Sequence, residues 1–405
     1  MESIVIIGST AERHRGGIAQ FTRHLADRLS KIHRVQLISW YQLYPPLLAG
    51  KTFTDNVSKT STGETKANFS LGFMNTMSWL RTARAVANAQ PKMILIAWIH
   101  PIHSPIFCFF NFYFRRYTNA ELVYICFNVK PHERFPCWSA LTRLVFGGAG
   151  RVIVHGATEK MQLTQLGVRT KITTLYLPLR NFFAGARDHP EEKLSRPASS
   201  ESVVLLFFGL IRRYKGLDLL LRAMPDVLRR HPHTHLWVVG DFFYTKRGIF
   251  SRFLAKDEED LRALASALGI SKNVTFDLRY VPNEEIPQIF SAADVAVFPY
   301  RSATQSGVLA VAYGYELPVI ATNVGSLPDV VLEGVSGYLA EPNSESVARA
   351  VCRFIENPIG KEKVREFAET LSWDDYVRGV LTGESFAPRE EYLAKSSSAL
   401  QRGSA

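Results

Sequence analysis

Apolar residues in this chain come in short, β-branched and aromatic runs, separated by longer segments in which they recur every three to four positions. Such alternation predicts α/β architecture with parallel sheets, because parallel strands cannot be joined by a tight turn and need a crossover segment between them. The first half offers strands at Ser3 to Ile7, Arg34 to Trp40, Met93 to Trp98, Glu121 to Phe127 and Arg151 to His155. A second series opens with strand Val203 to Phe208 and helix Leu217 to Arg229, then strands Leu236 to Val239 and Val274 to Asp277. It continues with helix Glu284 to Ala292, strand Val295 to Phe298, helix Gly307 to Tyr315 and strand Val319 to Ala321, with a further helix over Asp257 to Leu268.

Between the two series, Arg187 to Ser202 is polar and rich in proline and serine, the composition of a linker. The chain therefore divides into a first domain at 1–186, a linker at 187–202 and a second domain from 203, with a polar, Ser-rich and mobile tail at 384–405. The 405 residues carry 48 Lys and Arg against 37 Asp and Glu, a net charge of +11 that favours an acidic partner. The basic residues are dispersed rather than gathered in a stripe, which argues against nucleic acid. Four cysteines without C-x-x-C spacing and no apolar run long enough to span a bilayer point to a cytoplasmic chain. The aromatic block Phe107 to Phe114, followed by Arg115 and Arg116, is either a buried helix or a peripheral contact with an anionic inner leaflet.

Three strand-to-helix loops carry the chemistry. Phe298-Pro-Tyr-Arg-Ser-Ala-Thr-Gln-Ser-Gly307 leads from a strand into a helix, whose first N–H groups are placed to meet an anion. Gly209 to Gly216 holds Arg212 and Lys215, which either neutralise a diphosphate or form a basic surface loop. Gly16 and Gly17 open the first helix, where the missing side chains let backbone approach a ligand or simply make a turn. After the strand ending at Phe127, Asn128, His132 and Glu133 form a polar cluster that orients hydroxyls and accepts a proton, or caps and packs. His100 and His103, with proline between them, do not make a metal pair, and no D-x-D motif ends a strand, so no metal is expected.

Together these features resemble the retaining, group-1 glycosyltransferases of the GT-B fold. The likeness runs from Ser3 to about Thr382 through the Gly16-Gly17 loop, the Gly209 loop with Lys215-Gly216, Val238-Val-Gly-Asp241 and Ser291-Ala-Ala-Asp294. It continues through Gly307, Pro318 to Thr322, Gly325, Gly334 to Leu339 and Leu371-Ser-Trp373. The resemblance implies two Rossmann-like domains facing across a cleft, the second at 203–358, with a C-terminal helix at 359–383 crossing back to the first. It implies that Arg212 and Lys215 grip the diphosphate of a UDP- or GDP-linked sugar, that Ser306, Gly307 and Gly17 meet the distal phosphate, and that Gly209, Gly240 and Tyr280 surround the nucleotide. Gln305 and Ser306 handle the sugar, while Gly16, Asn128 and Glu133 lie on the acceptor side and His132 serves as the catalytic histidine. The expected acceptor is a saccharide or lipid-linked saccharide, and no cofactor is implied.

Two positions depart from the family pattern. Its paired glutamates, eight residues apart, are replaced by Ala303 and Val311, and Phe127 stands where a histidine is usual. Two other functions fit the same fold: a non-catalytic nucleotide-sugar-binding subunit, and a sugar-nucleotide epimerase, for which the set of acids is missing.

Overall fold

The computed structural model describes residues 2–14, 16–45, 65–131, 135, 137–179, 196–242 and 260–403. The chain forms two units, Met1–Tyr176 with Trp373–Phe386 and Leu177–Ser372 with Ala387–Ala405. In chain order the first series is β1 (Ser3–Ile7), α1 (Gly17–Ser30), β2 (Arg34–Gln42), β3 (Ala67–Gly72), α2 (Thr76–Asn88) and β4 (Met93–Trp98). It continues with α3 (Ser104–Tyr117), β5 (Glu121–Cys126), α4 (Trp138–Gly147), β6 (Arg151–Val154), α5 (Ala157–Gln165) and β7 (Lys171–Thr174). The second comprises β8 (Val203–Phe208), α6 (Leu217–Arg230), β9 (Thr234–Val239), α7 (residues 260–267), β10 (Val274–Asp277) and α8 (Ile286–Ser291). Then come β11 (Val295–Phe298), α9 (Gly307–Gly314), β12 (Val319–Thr322), β13 (Gly337–Ala340), α10 (Ser344–Glu356) and α11 (Lys361–Ala368). Helix α12 (Trp373–Thr382) falls in the first unit and α13 (Pro388–Gly403) in the second.

Each unit is built on one sheet whose strand pairs are all parallel: β3-β2-β1-β4-β5-β6-β7 and β10-β9-β8-β11-β12-β13. All six residues of β4 are buried, as a parallel strand with helices over both faces requires. In the first unit, alternate strand residues such as Val5, Ile96, Trp98 and Tyr124 join Val86 of α2, Phe107 and Phe110 of α3 and Phe146 of α4 in one core. Helices α1 and α12 pack together, through Phe21 against Trp373 and Tyr376.

Both sheets reverse their strand order beside the first strand of the series, so crossovers leave in opposite directions from β1 and β4 and from β8 and β11. Crevices at such points, at the carboxyl ends of the strands, are where open α/β sheets bind ligands. The α/β expectation and the two Rossmann-like units are thus observed. The linker expected at 187–202 lies largely outside the described residues.

Of the two readings of the aromatic block, the buried helix is observed for Phe107, Phe110 and Phe114 of α3, which lie in the core of the first unit, while Phe112 is exposed. One expectation changes. The Ser-rich end is helical in α13, where Pro388 opens the helix, Glu390 and Glu391 suit its N-terminus, and Tyr392 lies 5.8 Å from Phe367. Composition carries no signal for that ring contact.

Arg151 ties α12 into the first unit. Its buried guanidinium donates to the Glu121 carboxylate at 2.8 and 3.1 Å and to the carbonyls of Gly379 and Val380 at 3.1 and 2.7 Å. Arg151→Met should destabilise the protein by about 3 kcal/mol, since a charge and two carbonyls lose their partner. Urea denaturation measures the loss, and hydrogen exchange should show it first in residues 376–383.

Candidate functional site

In the second unit, the loops after β8, β9, β10, β11 and β12 all end at the same edge of the sheet. After β8 the chain turns through Gly209 and a single 3-10 turn at Arg213–Lys215 before α6 begins. Gly216 makes this possible: its φ is +66°, and a Cβ there would stand 1.9 Å from the Pro299 carbonyl oxygen. Gly240, after β9, has φ +147° and backs onto Gly209, whose carbonyl oxygen would lie 2.1 Å from a Cβ. The two loops therefore approach through bare backbone.

Lys215 is only 7% exposed. Its Nζ lies 5.7 Å from the centroid of the Tyr300 ring and 3.1 Å from where a side chain on Gly209 would begin. Burial, and secondarily the charge of Arg212, pushes its pKa from 10.5 down to about 7. The Tyr300 hydroxyl lies 3.3 Å from Ser306 Oγ, and Ser306 caps α9 by accepting from the Leu309 N–H at 3.3 Å. With Leu309 and Ala310 bonded to Ser306, the N–H groups of Gly307 and Val308 are those a ligand at this helix end would meet. Gly209 sits beside this end too, since a Cβ on it would be 3.3 Å from Val308 Cγ2.

The structure thus brings together Gly209, Lys215, Gly240, Ser306 and Gly307. Tyr280 is half exposed after β10, joined to the group through strand pairing and the bond from Gly240 N–H to the Asp277 carbonyl at 3.0 Å. Arg212 begins the 3-10 turn that carries Lys215, and Gln305 precedes the helix cap.

Tyr300 and Arg301 are additions that sequence reasoning missed. Arg301 makes a two-pronged bond to Asp218 in the first turn of α6, at 2.6 and 2.7 Å, and its N–H reaches the Tyr214 carbonyl at 2.7 Å. The Thr322 hydroxyl, on β12, donates to the Tyr300 carbonyl at 2.6 Å. These bonds fix the β11–α9 loop from both sides, and no local sequence pattern announces them, because the partners are 22 to 87 residues apart.

In the first unit Gly16 caps α1 with φ +110° and Gly17 begins the helix, at the carboxyl end of β1. Asn128 follows β5, and its carbonyl accepts from Trp98 Nε1 at 3.1 Å. His132 and Glu133 lie outside the described residues. Phe127 is buried and stacks on His155 at 5.2 Å, while His155 faces the Tyr376 hydroxyl at 3.0 Å and the Cys126 carbonyl at 3.2 Å. His103 is buried as well, with ring nitrogens against the carbonyls of Leu43 and His100, and burial lowers its pKa to about 4.

Residues 202–357, which hold this whole loop cluster, match the family model of the glycosyl transferases group 1. That region is a group 1 glycosyltransferase domain. Curated relatives include a D-inositol 3-phosphate glycosyltransferase of Thermobifida fusca, 30% identical over 62% of this chain and 58% of its own length. A second, D-inositol 3-phosphate glycosyltransferase 1 of Catenulispora acidiphila, is 30% identical over 58% of this chain and 57% of its length. The match therefore spans less than three fifths of either relative. Among solved structures, HepE of Anabaena in complex with UDP-glucose superposes with a TM-score of 0.69 at 16% identity, covering 95% of this chain and all of that one. Sucrose-phosphate synthase of Thermosynechococcus elongatus gives 0.66 at 17% identity over 94% and 97% of the two chains. These neighbours have the GT-B fold, and the chain shares it.

Within this glycosyltransferase domain, Val311 is buried in α9, and the Ala303 carbonyl oxygen would lie 1.7 Å from a Cβ on Gly325. Neither side chain brings a carboxylate to the cluster.

The buried amine sets a pH dependence. Between about pH 7 and 10.5 the unfolded chain keeps a proton that folded Lys215 has released, so its burial costs most below pH 7 and least above 10.5. Lys215→Met should therefore stabilise the free protein, most at pH 6 and progressively less as pH rises through that window. Urea denaturation across pH 6 to 10 reads the trend, and an equal gain at every pH would contradict the assigned burial cost.

Proposed function

We propose that the chain is a glycosyltransferase that moves a sugar from a UDP- or GDP-linked donor to a saccharide or lipid-linked saccharide acceptor, with retention of anomeric configuration and without a metal. The observation that carries this reading is a lysine amine, poised to become charged, beside the capped N-terminus of α9 and the bare backbone of Gly209. A diphosphate fits that set, since it supplies the negative charge that a buried ammonium and a helix N-terminus both lack. The domain match and the fold shared with HepE, whose structure holds UDP-glucose, support the same donor class.

In this reaction the bond from the anomeric carbon to the diphosphate oxygen breaks, and the acceptor oxygen bonds to that carbon on the same face. The acceptor proton passes to an oxygen of the leaving diphosphate, so no carboxylate base is needed. Lys215, Arg212 and the N–H groups of Gly307 and Val308 stabilise charge on the leaving group. Gly17 approaches the same phosphate, Gly209, Gly240 and Tyr280 surround the nucleoside, and Gln305 and Ser306 hold the sugar. Gly16, Asn128 and Glu133 serve the acceptor, with His132 as its hydroxyl's partner.

The amine's depressed pKa gives a direct test of the donor site. Binding of UDP or GDP at pH 8.5 should draw a proton onto Lys215, approaching one per nucleotide, whereas at pH 6 the uptake should vanish. Calorimetry in buffers of different ionisation enthalpy measures it, and Lys215→Met should abolish it.

Turnover is tested with a panel of nucleotide sugars and lipid-linked saccharides, with Lys215→Met lowering kcat/KM by about 10²- to 10³-fold, the scale of losing one charged contact to the leaving group. Nucleotide binding with no release from any donor would instead favour the non-catalytic subunit suggested by Ala303 and Val311.

A further inference from the structure

Strand β3 pairs with β2 only from Leu37 onward, whereas β1 pairs with β2 from Arg34. The first residues of β2 therefore lack a strand on one side, and a cavity of about 830 Å³ opens there. It lies among the amino ends of β1, β2 and β3 and the C-terminal ends of α1 and α2, at the opposite edge of the sheet from Gly16, Gly17 and Asn128. Its size is that of a small-molecule pocket. None of its residues takes part in the proposed transfer.

The lining is polar and basic. Arg34 and Lys66 are exposed at the rim, His33 lies between α1 and β2, and no aspartate or glutamate is among the described residues that line the cavity. Among the described residues neither Arg34 nor Lys66 has a carboxylate partner. Two neighbouring acids are already engaged: Glu2, beside His33, pairs with Lys92, and Asp27 accepts from Arg23 and from the Thr65 N–H. Strand register sets Ser3 opposite Arg34 and Asn68 opposite Ile38, so Ser3, Arg34, Gln36 and Asn68 share one face of the sheet. Thr65 is 9% exposed, and its hydroxyl and His33 Nδ1 have no hydrogen-bond partner among the described residues. Buried polar atoms are normally paired, which marks this wall as prepared for a polar occupant.

We propose that this cavity is a second ligand site, which binds a small phosphomonoester with a hydroxylated body, of sugar-phosphate size. Arg34 takes the phosphate through its planar fork and Lys66 as a point charge, while Ser3, Gln36 and Asn68 hydrogen-bond the hydroxyls. An apolar ligand would leave these groups unpaired, and nucleic acid would need a basic track longer than one notch in a sheet edge. The site is separate from the donor site and does not rest on the reading given to it.

Calorimetric titration of the full chain with glucose 6-phosphate, glucose 1-phosphate, glucose and inorganic phosphate tests the proposal, with Lys215→Met titrated alongside to remove the donor-site amine. One of the two phosphoesters or both should bind, and glucose and inorganic phosphate should each bind about tenfold more weakly or worse. Lys215→Met should leave this binding unchanged. Arg34→Gln with Lys66→Gln should weaken it roughly a hundredfold, the scale of losing two charge-assisted contacts at a partly exposed site. Asn68→Leu should lower affinity for the phosphoester and spare that for inorganic phosphate. A control of equal charge change in the second unit, Lys361→Gln with Lys363→Gln, should have no effect. Binding of neither phosphoester overturns the proposal, as does equal affinity for glucose or inorganic phosphate, loss of binding in Lys215→Met, or an equal loss from the control pair. Thermal denaturation of each variant without ligand confirms that these substitutions leave the fold intact.

Discussion

Parallel pairing is the constraint on which everything else rests. Because every strand in each sheet runs the same way, all carboxyl ends lie along one edge and most of the described connections cross a face as helices. Five loops separated by well over a hundred residues in sequence, from Gly209 to Gly325, thereby meet without a dedicated scaffold. The reversal of order between β8 and β11 then opens a gap between two of those loops, and Lys215 and Ser306 stand on either side of it.

Chemistry at this edge is arranged by close backbone approach rather than by a set of acids. Lys215 sits above an aromatic ring, in a place where its charge is poorly hydrated, and Arg212 raises the penalty further. Such a group is held in a condition that an incoming anion relieves. The supporting bonds, from Thr322 and Arg301, brace the carbonyl and side chain of neighbouring loop residues, so the strain is confined to the amine. Water exclusion and positive charge are therefore supplied by the same few residues.

Most of the scaffold was legible because buried parallel strands are written as apolar runs: β1, β4, β8, β10 and β11 fall where the runs do. Three strands escaped notice, β3, β7 and β13, and all three lie at sheet edges, where one side is less buried and polar residues such as Asn68, Lys171 and Thr173 are tolerated. The placement of Gly209, Lys215, Gly240 and Gly307 after strands was also legible, since it follows from local position. Tyr300 and the Arg301–Asp218 pair were not, because what gives them meaning is a partner on another loop. The aromatic stretch of α3 shows the same limit: its composition left a buried helix and a surface contact both open, and its packing showed a core helix with one outward stripe.

The first unit is discontinuous in sequence, and this has a consequence for how the chain comes to be folded. Arg151 and His155 emerge from the ribosome more than two hundred residues before the carbonyls and hydroxyl that satisfy them, in Gly379, Val380 and Tyr376. Until then Phe21 and His155 have an open flank where Trp373 and Tyr376 will sit. Synthesis thus proceeds with the earlier half waiting, near-complete but unsealed, while the later half acquires its own self-contained core. The final seal comes from a short piece of chain, so premature termination anywhere in the second half leaves the Arg151 guanidinium with Glu121 but without its two carbonyl partners, and an exposed aromatic surface in the first.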